Sequence, residues 1–119
     1  MNNIKFDLEE RTAKFGEAVI EFVKALPKSI ILNPLISQIV RSATSIGANY
    51  CEADDAESSK DICHKLSIAK KEARETMHWL RMISVVSPES KNRTRELWIE
   101  AKELNLIFNA ILIKIRSKN

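Results

Sequence analysis

Apolar positions recur along this chain in steps of four and three. Leu8, Thr12, Phe15, Val19, Phe22 and Leu26 fall on one face of a helix, predicted over about 6–26. The stretch "LPKSIILNP" breaks that rhythm, with Pro27 and Pro34 as punctuation. Asn33 before Pro34 reads as a capping residue followed by proline in the first turn. Ile36, Ile39, Ala43, Ile46 and Tyr50 then mark a second helix that ends within 54–57. Ser58 or Ser59 is the expected cap of a third, with Asp61 adding negative charge to its first turn. Its face is Ile62, Leu66, Ala69, Ala73, Thr76, Leu80 and Ile83. "SVVSPES" is the next break, and Ser87 before Pro88 repeats the capping pattern. A fourth helix carries Leu97, Ala101, Leu104, Phe108, Ile111 and Ile115, to about residue 116.

Four helices joined by short links make an all-α chain, predicted as an antiparallel up-and-down four-helix bundle in one domain over 1–119. Composition agrees. Only 2 glycines and 6% aromatic residues in 119 positions argue against a β-sandwich or barrel. One helix carries more than a lone bundle uses. "LNLIFNAILIKI", 104–115, is apolar nearly all round, and such a helix is buried on every side. The outer face of a bundle helix meets water, so Leu106, Ile107, Phe108, Ile111 and Leu112 are expected to form a subunit interface.

Charge changes the picture further along. The chain carries +3, unevenly: residues 1–59 hold 6 Lys/Arg against 9 Asp/Glu, and residues 91–119 hold 7 against 3. Lys70, Lys71, Arg74, Arg93, Arg95, Lys114, Arg116 and Lys118 are the candidate phosphate-binding residues, with Lys65, Arg81 and Lys102 nearby. Aromatic interleaving is absent from the pattern, so binding to RNA or DNA is expected to be backbone-driven and salt-sensitive. A solvated basic face is the plainer alternative.

The stretch "RSATSIGANYCEADDAESSKD", 41–61, has a second, polar stripe: Gln38, Arg41, Ser45, Asn49 and Glu52. Gly47 inside a helix costs about 1 kcal/mol relative to alanine and needs a packing or functional reason. The stripe reads as a hydrogen-bond network that fixes helix register, with a ligand groove as the alternative. Glu72 and Glu75 on the third helix are its expected partners, Glu75 meeting Arg41 or Asn49.

Candidate chemistry is thin. Glu75 and His78 have Glu-x-x-His spacing, but a di-iron bundle needs two such motifs and two more glutamates, and the other histidine is His64. No metal or other cofactor is expected, and no phosphate loop, dinucleotide fingerprint or nucleophile elbow is present. Cys51 and Cys63 read as small buried or half-buried thiols of a reduced compartment, free of a disulfide. No signal peptide or membrane span is apparent, so a cytoplasmic location is expected and a membrane partner is not.

The segment "QIVRSATSIGANYCEADDAESSKDICHKLSIAKKEARETMHWL", 38–80, resembles the signature of the 23S ribosomal RNA intervening-sequence proteins, small bacterial four-helix bundles. Its core, 45–53, is the specific part, and the flanking "ERTAKF" and "EAKELNLIFNAILIKI" fit as well. His78 stands where tyrosine is more usual, which counts against histidine as a ligand. The resemblance implies a ring-like homopentamer with no established catalytic activity. It also implies kinship with accessory proteins of diversity-generating retroelements, which bind nucleic acid and a reverse transcriptase through a basic surface. It assigns Gln38, Arg41, Ser45, Asn49, Glu52 and Glu75 no role beyond packing and assembly. The expected function is a non-enzymatic, self-associating nucleic-acid binder or scaffold. A protein-only adaptor and a carboxylate-metal enzyme are the alternatives.

Overall fold

A computed structural model of the chain describes residues 2–118, with side chains from residue 7 onward. Four α-helices account for nearly all of them: α1 (Asn2–Lys24), α2 (Leu32–Asp54), α3 (Ser59–Val86) and α4 (Lys91–Ser117). Each helix packs antiparallel to the one before it. Gly47 of α2 lies against Thr12 while Gly16 of α1 lies against Ala43 and Thr44. Arg41 of α2 reaches Glu72 and Glu75 of α3, while Glu52 reaches Lys65. Lys70 and Ser67 of α3 meet Asn109 and Arg116 of α4 in the same reversed order. The result is an elongated bundle with extents of 48 × 23 × 20 Å.

The buried positions follow the expected stripes, except that Ile36 and Ile62 are only half-buried. Leu8, Thr12, Phe15, Val19, Phe22 and Leu26 are all buried, as are Ile39, Ala43, Ile46 and Tyr50, and Leu66 through Ile83 at the expected spacing. Small residues dominate where α2 meets α3: Ser42, Ala43, Ala69, Ala73 and Thr76 are fully buried. Thr76 donates its hydroxyl to Ser42 Oγ at 2.9 Å, so both polar groups are satisfied inside the core.

Two caps differ from expectation. Asn33 does not cap α2. Ser29 does so one turn earlier: its Oγ accepts from Leu32 N at 2.9 Å, and its own N–H donates to Asn33 Oδ1 at 3.3 Å. This reciprocal pairing satisfies donors that a helix start leaves free. Ser87 donates its hydroxyl to Glu89 at 2.6 Å instead of capping, and a single 3-10 turn (Pro88–Ser90) precedes α4. Ser58 caps α3 as expected, accepting from Asp61 N at 3.1 Å.

In α4 the stripe drifts. Thr94, Leu97, Ala101, Leu104, Phe108 and Leu112 are buried, while Ile111 and Ile115 are only half-buried. A strict four-three repeat averages 3.5 residues and slips around a 3.6-residue helix, so a straight helix corrects with a second step of four.

Candidate nucleic-acid interface

On its outer side, the α3/α4 seam collects cations. Toward the C-terminal end of α4, a groove is lined by Ser67, Lys70, Lys71, Arg74, Asn105 and Arg116. Toward the other end, a second recess is lined by Arg81, Ser84, Lys91, Thr94, Arg95 and Trp98 over the buried Leu80. Neither lining includes a carboxylate. Helix geometry explains the separation. On α3, Ser67, Arg74 and Arg81 are seven apart and share a face, while Glu72 and Glu75 turn toward α2 and bind Arg41. On α4, Lys91, Arg95, Trp98, Asn105 and Arg116 face α3, while Glu100 and Glu103 turn toward α1 and bind Arg11.

The candidate cations therefore divide. Lys70, Lys71, Arg74 and Arg116 line the first recess, and Arg95 the second. Lys70 is partly committed to structure: its Nζ donates to Asn109 Oδ1 and its carbonyl accepts from Asn105 Nδ2, both at 2.9 Å. Arg93 lines neither recess and pairs with Glu96 at 3.0 Å within α4. Lys114 and Lys118 are exposed beyond both. Arg81 and Lys91 complete the second recess, and Trp98 supplies the aromatic side chain that the spacing pattern missed. A consistent signal existed, since Arg81 lies one heptad from Arg74 and Trp98 three residues from Arg95.

The polar stripe of α2 is real but lies mostly at the surface. Arg41 holds Glu72 with one amino group, at 3.1 and 3.2 Å, and Glu75 with the other at 2.7 Å. Hydrogen bonding to Glu72 leads the causes that raise the Arg41 pKa above its ordinary value. Asn49 does not meet the carboxylates; it donates to Ser45 O at 2.9 Å, and Ser45 donates to Arg41 O at 2.6 Å, both within α2. Glu52 pairs with Lys65 at 2.7 Å, and Gln38 is exposed. The buried pair across this seam is Ser42 with Thr76. Arg11, absent from the expected network, makes the firmer clamp. It binds Glu100 through two nitrogens at 2.7 and 2.8 Å and Glu103 at 2.8 Å, across the thin contact of α1 with α4.

The expected interface residues also divide. Phe108 and Leu112 are 0% and 1% exposed and belong to the chain's own core, in contact with a second subunit only if that core opens. Ile107 and Ile111 are half-buried against it. Leu106 is 55% exposed and stands in a ridge with Ile99 and Ile113, each seven residues away and also exposed. Glu75 is held by Arg41, and the exposed His78 packs edge-on against Trp79, with ring centroids 4.9 Å apart. Among the described residues, no group of three or more His, Cys, Asp or Glu side chains gathers as a metal site would need, and no helix is long and apolar enough to cross a membrane.

These features define a four-helix protein whose α3/α4 seam carries two basic recesses with no carboxylate in their linings. The model of the 23S rRNA-intervening sequence protein family matches residues 5–110, and the chain belongs to that family. Its fold is similar to the crystal structure of a protein of unknown function from the S23 ribosomal protein family of Bacteroides thetaiotaomicron. The two share 29% identity with a TM-score of 0.76, over 88% of this chain and 94% of that one. No curated protein matches the chain.

Proposed function

We propose that this protein is a non-enzymatic, homo-oligomeric binder of RNA or DNA in the cytoplasm, holding the phosphate backbone along the α3/α4 seam. The observation that carries the reading is the run of Lys71, Arg74, Arg81, Lys91, Arg95 and Arg116 along two successive recesses of one seam without a carboxylate in either lining. Such a surface attracts a polyanion and releases its counterions on binding. The exposed ridge of Ile99, Leu106 and Ile113 supports self-association, and the family resemblance favours a five-membered ring.

Titration of a labelled oligonucleotide against increasing salt tests the reading. Log affinity falls linearly with log salt, by about 0.7 per neutralised phosphate on a single strand. Absence of binding at low salt, or affinity indifferent to salt, overturns it. The same exposed ridge favours a second reading, a protein-only adaptor, which salt-independent capture of one defined protein would establish. Native mass spectrometry reads the assembly directly: a monomer that persists at micromolar concentration removes the oligomer from the proposal.

A further inference from the structure

The two halves of the α3/α4 seam are not alike. The half at Lys70, Lys71, Arg74 and Arg116 contains no aromatic side chain. The half at Arg81, Lys91 and Arg95 contains Trp98, which is half-buried: its ring packs against the core and still lines a recess of about 340 Å3. That volume is at the lower end of the roughly 300–1,000 Å3 typical of small-ligand sites. Lys102 Nζ lies over the Trp98 ring, 5.4 Å from its centre, and its exposed side chain swings aside when a base takes that face. Arg81, Lys91 and Arg95 are exposed and make no ion pair among the described residues. Their charges are therefore available to an anion, unlike those of Arg11, Arg41 and Arg93.

A half-buried indole that shares a recess with three unpaired cations matches one ligand chemistry closely, a flat ring joined to a phosphate. A duplex presents base edges along its length and offers a base face to an indole only at its ends. An acidic peptide satisfies the cations and leaves the ring unused. We infer that Trp98, with Arg81, Lys91 and Arg95, forms a nucleotide subsite that takes one unpaired base of a single-stranded nucleic acid. The base lies against the indole and its flanking phosphates on the three cations. The phosphates continue along the seam to Arg74 and Arg116, where the backbone alone is held. This inference rests on the nucleic-acid reading above and names the form of its ligand: single-stranded, with a base engaged at one end of the seam.

The test compares a fluorescent oligouridylate with a mixed-sequence duplex of equal length, by anisotropy, on the full-length protein. Wild-type protein binds the single strand more tightly. Trp98→Leu keeps apolar bulk and removes the π-face; it weakens the single strand by roughly five- to a hundredfold, the range of base–aromatic stacking. It lowers duplex affinity by less than single-strand affinity, and Trp98→Phe recovers most of the loss. Arg81→Gln with Arg95→Gln lowers the salt slope for the single strand. If Trp98→Leu fails to fold, indole fluorescence reports the contact in a Trp79→Phe protein, which loses no hydrogen bond because Trp79 Nε1 has no partner. Stacking quenches the remaining Trp98 emission, and emission unaffected by saturating oligouridylate overturns the subsite. So does equal single-strand affinity for wild type and a folded Trp98→Leu. Either result, with binding intact, leaves the wider nucleic-acid reading standing. Wild-type protein that binds neither probe at low salt overturns both.

Discussion

Between α1 and α2 the outer groove is lined by Ala13, Gly16, Gly47 and Ala48, with Glu9 and Glu17 at its rim. Between α3 and α4 the corresponding surface is lined by Lys71, Arg74, Arg81, Arg95 and Trp98. Both are seams of two antiparallel helices in one bundle, and their inner faces do the same work. The outer faces diverge in their side chains: small residues with two carboxylates at the rim line the α1/α2 groove, while long cations line the α3/α4 recesses. A bundle fold thus says little about function. The side chains flanking the core stripe decide which seam can hold a ligand, and here the acidic half of the chain and the basic half have been folded onto opposite seams.

Exchanging the charges is the severest way to break that contrast. Arg74→Glu with Arg81→Glu lowers oligonucleotide affinity by about a hundredfold at low salt, because two phosphate contacts become repulsions. Glu9→Lys with Glu17→Lys, on the other seam, leaves the affinity within about threefold, an effect of net charge alone. Equal losses from the two pairs, measured by anisotropy, place the binding surface elsewhere.

The glycines sharpen the other side of the comparison. A Cβ at Gly47 lies 3.2 Å from Thr12 Oγ1, whereas one at Gly16 has no neighbour closer than 3.7 Å. Thr12 is buried and its hydroxyl donates to Glu9 O at 3.1 Å, so it yields poorly. Gly16→Ala raises stability by about 0.5–1 kcal/mol through helix propensity. Gly47→Ala ends about 1 kcal/mol below it, with propensity offset by displacement of Thr12. Equal gains in chemical denaturation dismiss close approach as the reason for Gly47.

Smaller still is the ion pairing that joins the two halves. Glu75→Ala removes one of two carboxylates from Arg41, whose side chain is 48% exposed and keeps Glu72. The cost is under about 1 kcal/mol by thermal melting. A loss of several kcal/mol places Arg41 in a drier setting than its exposure indicates.

How much of this the sequence carried depends on which residue is asked. The core stripes were readable because burial imposes a 3.6-residue period, and Leu8 through Leu26 and Ile39 through Tyr50 obeyed it. Leu112 replaced Ile111 in the core because a 3.5-residue repeat cannot stay on one face through six turns. Arg41 with Glu72 and Glu75 was legible, since both carboxylates lie beside the core face of the adjacent helix. Arg11 with Glu100 and Glu103 was not, because the contact spans 89 and 92 residues and depends on how the first and last helices close the bundle. Trp98 in the basic seam was hidden for a related reason. It belongs by period to the edge of the α4 core stripe, and only the position of α3 shows that it shares a recess with Arg81.

The finest probe of the contrast is a thiol placed in each seam. Cys51, exposed rather than buried or half-buried as expected, lines the α1/α2 groove, where partial desolvation first, and then Glu9, Asp54 and Asp55, push its pKa above the ordinary thiol value. Ser84 lines the α3/α4 recess beside Arg81, Lys91 and Arg95, and cations stabilise a thiolate. In a Cys63→Ser background, the pH profile of iodoacetamide alkylation is recorded for Cys51, and for Ser84→Cys in a protein that also carries Cys51→Ser. The midpoint of each profile reports the thiolate equilibrium and is independent of how accessible each sulfur is. The sign is fixed: a raised pKa leaves Cys51 protonated through neutral pH, so its rate climbs only above the usual range near about 8.5. The Ser84→Cys midpoint falls below that range. Rates at neutral pH differ less than the thiolate fractions, because a less basic thiolate is also a weaker nucleophile. Added salt draws the two midpoints together, since exposed charges are screened beyond about 8 Å at physiological ionic strength. Coincident midpoints at low salt erase the electrostatic difference between the seams, and with it the reason for a polyanion to choose α3 and α4.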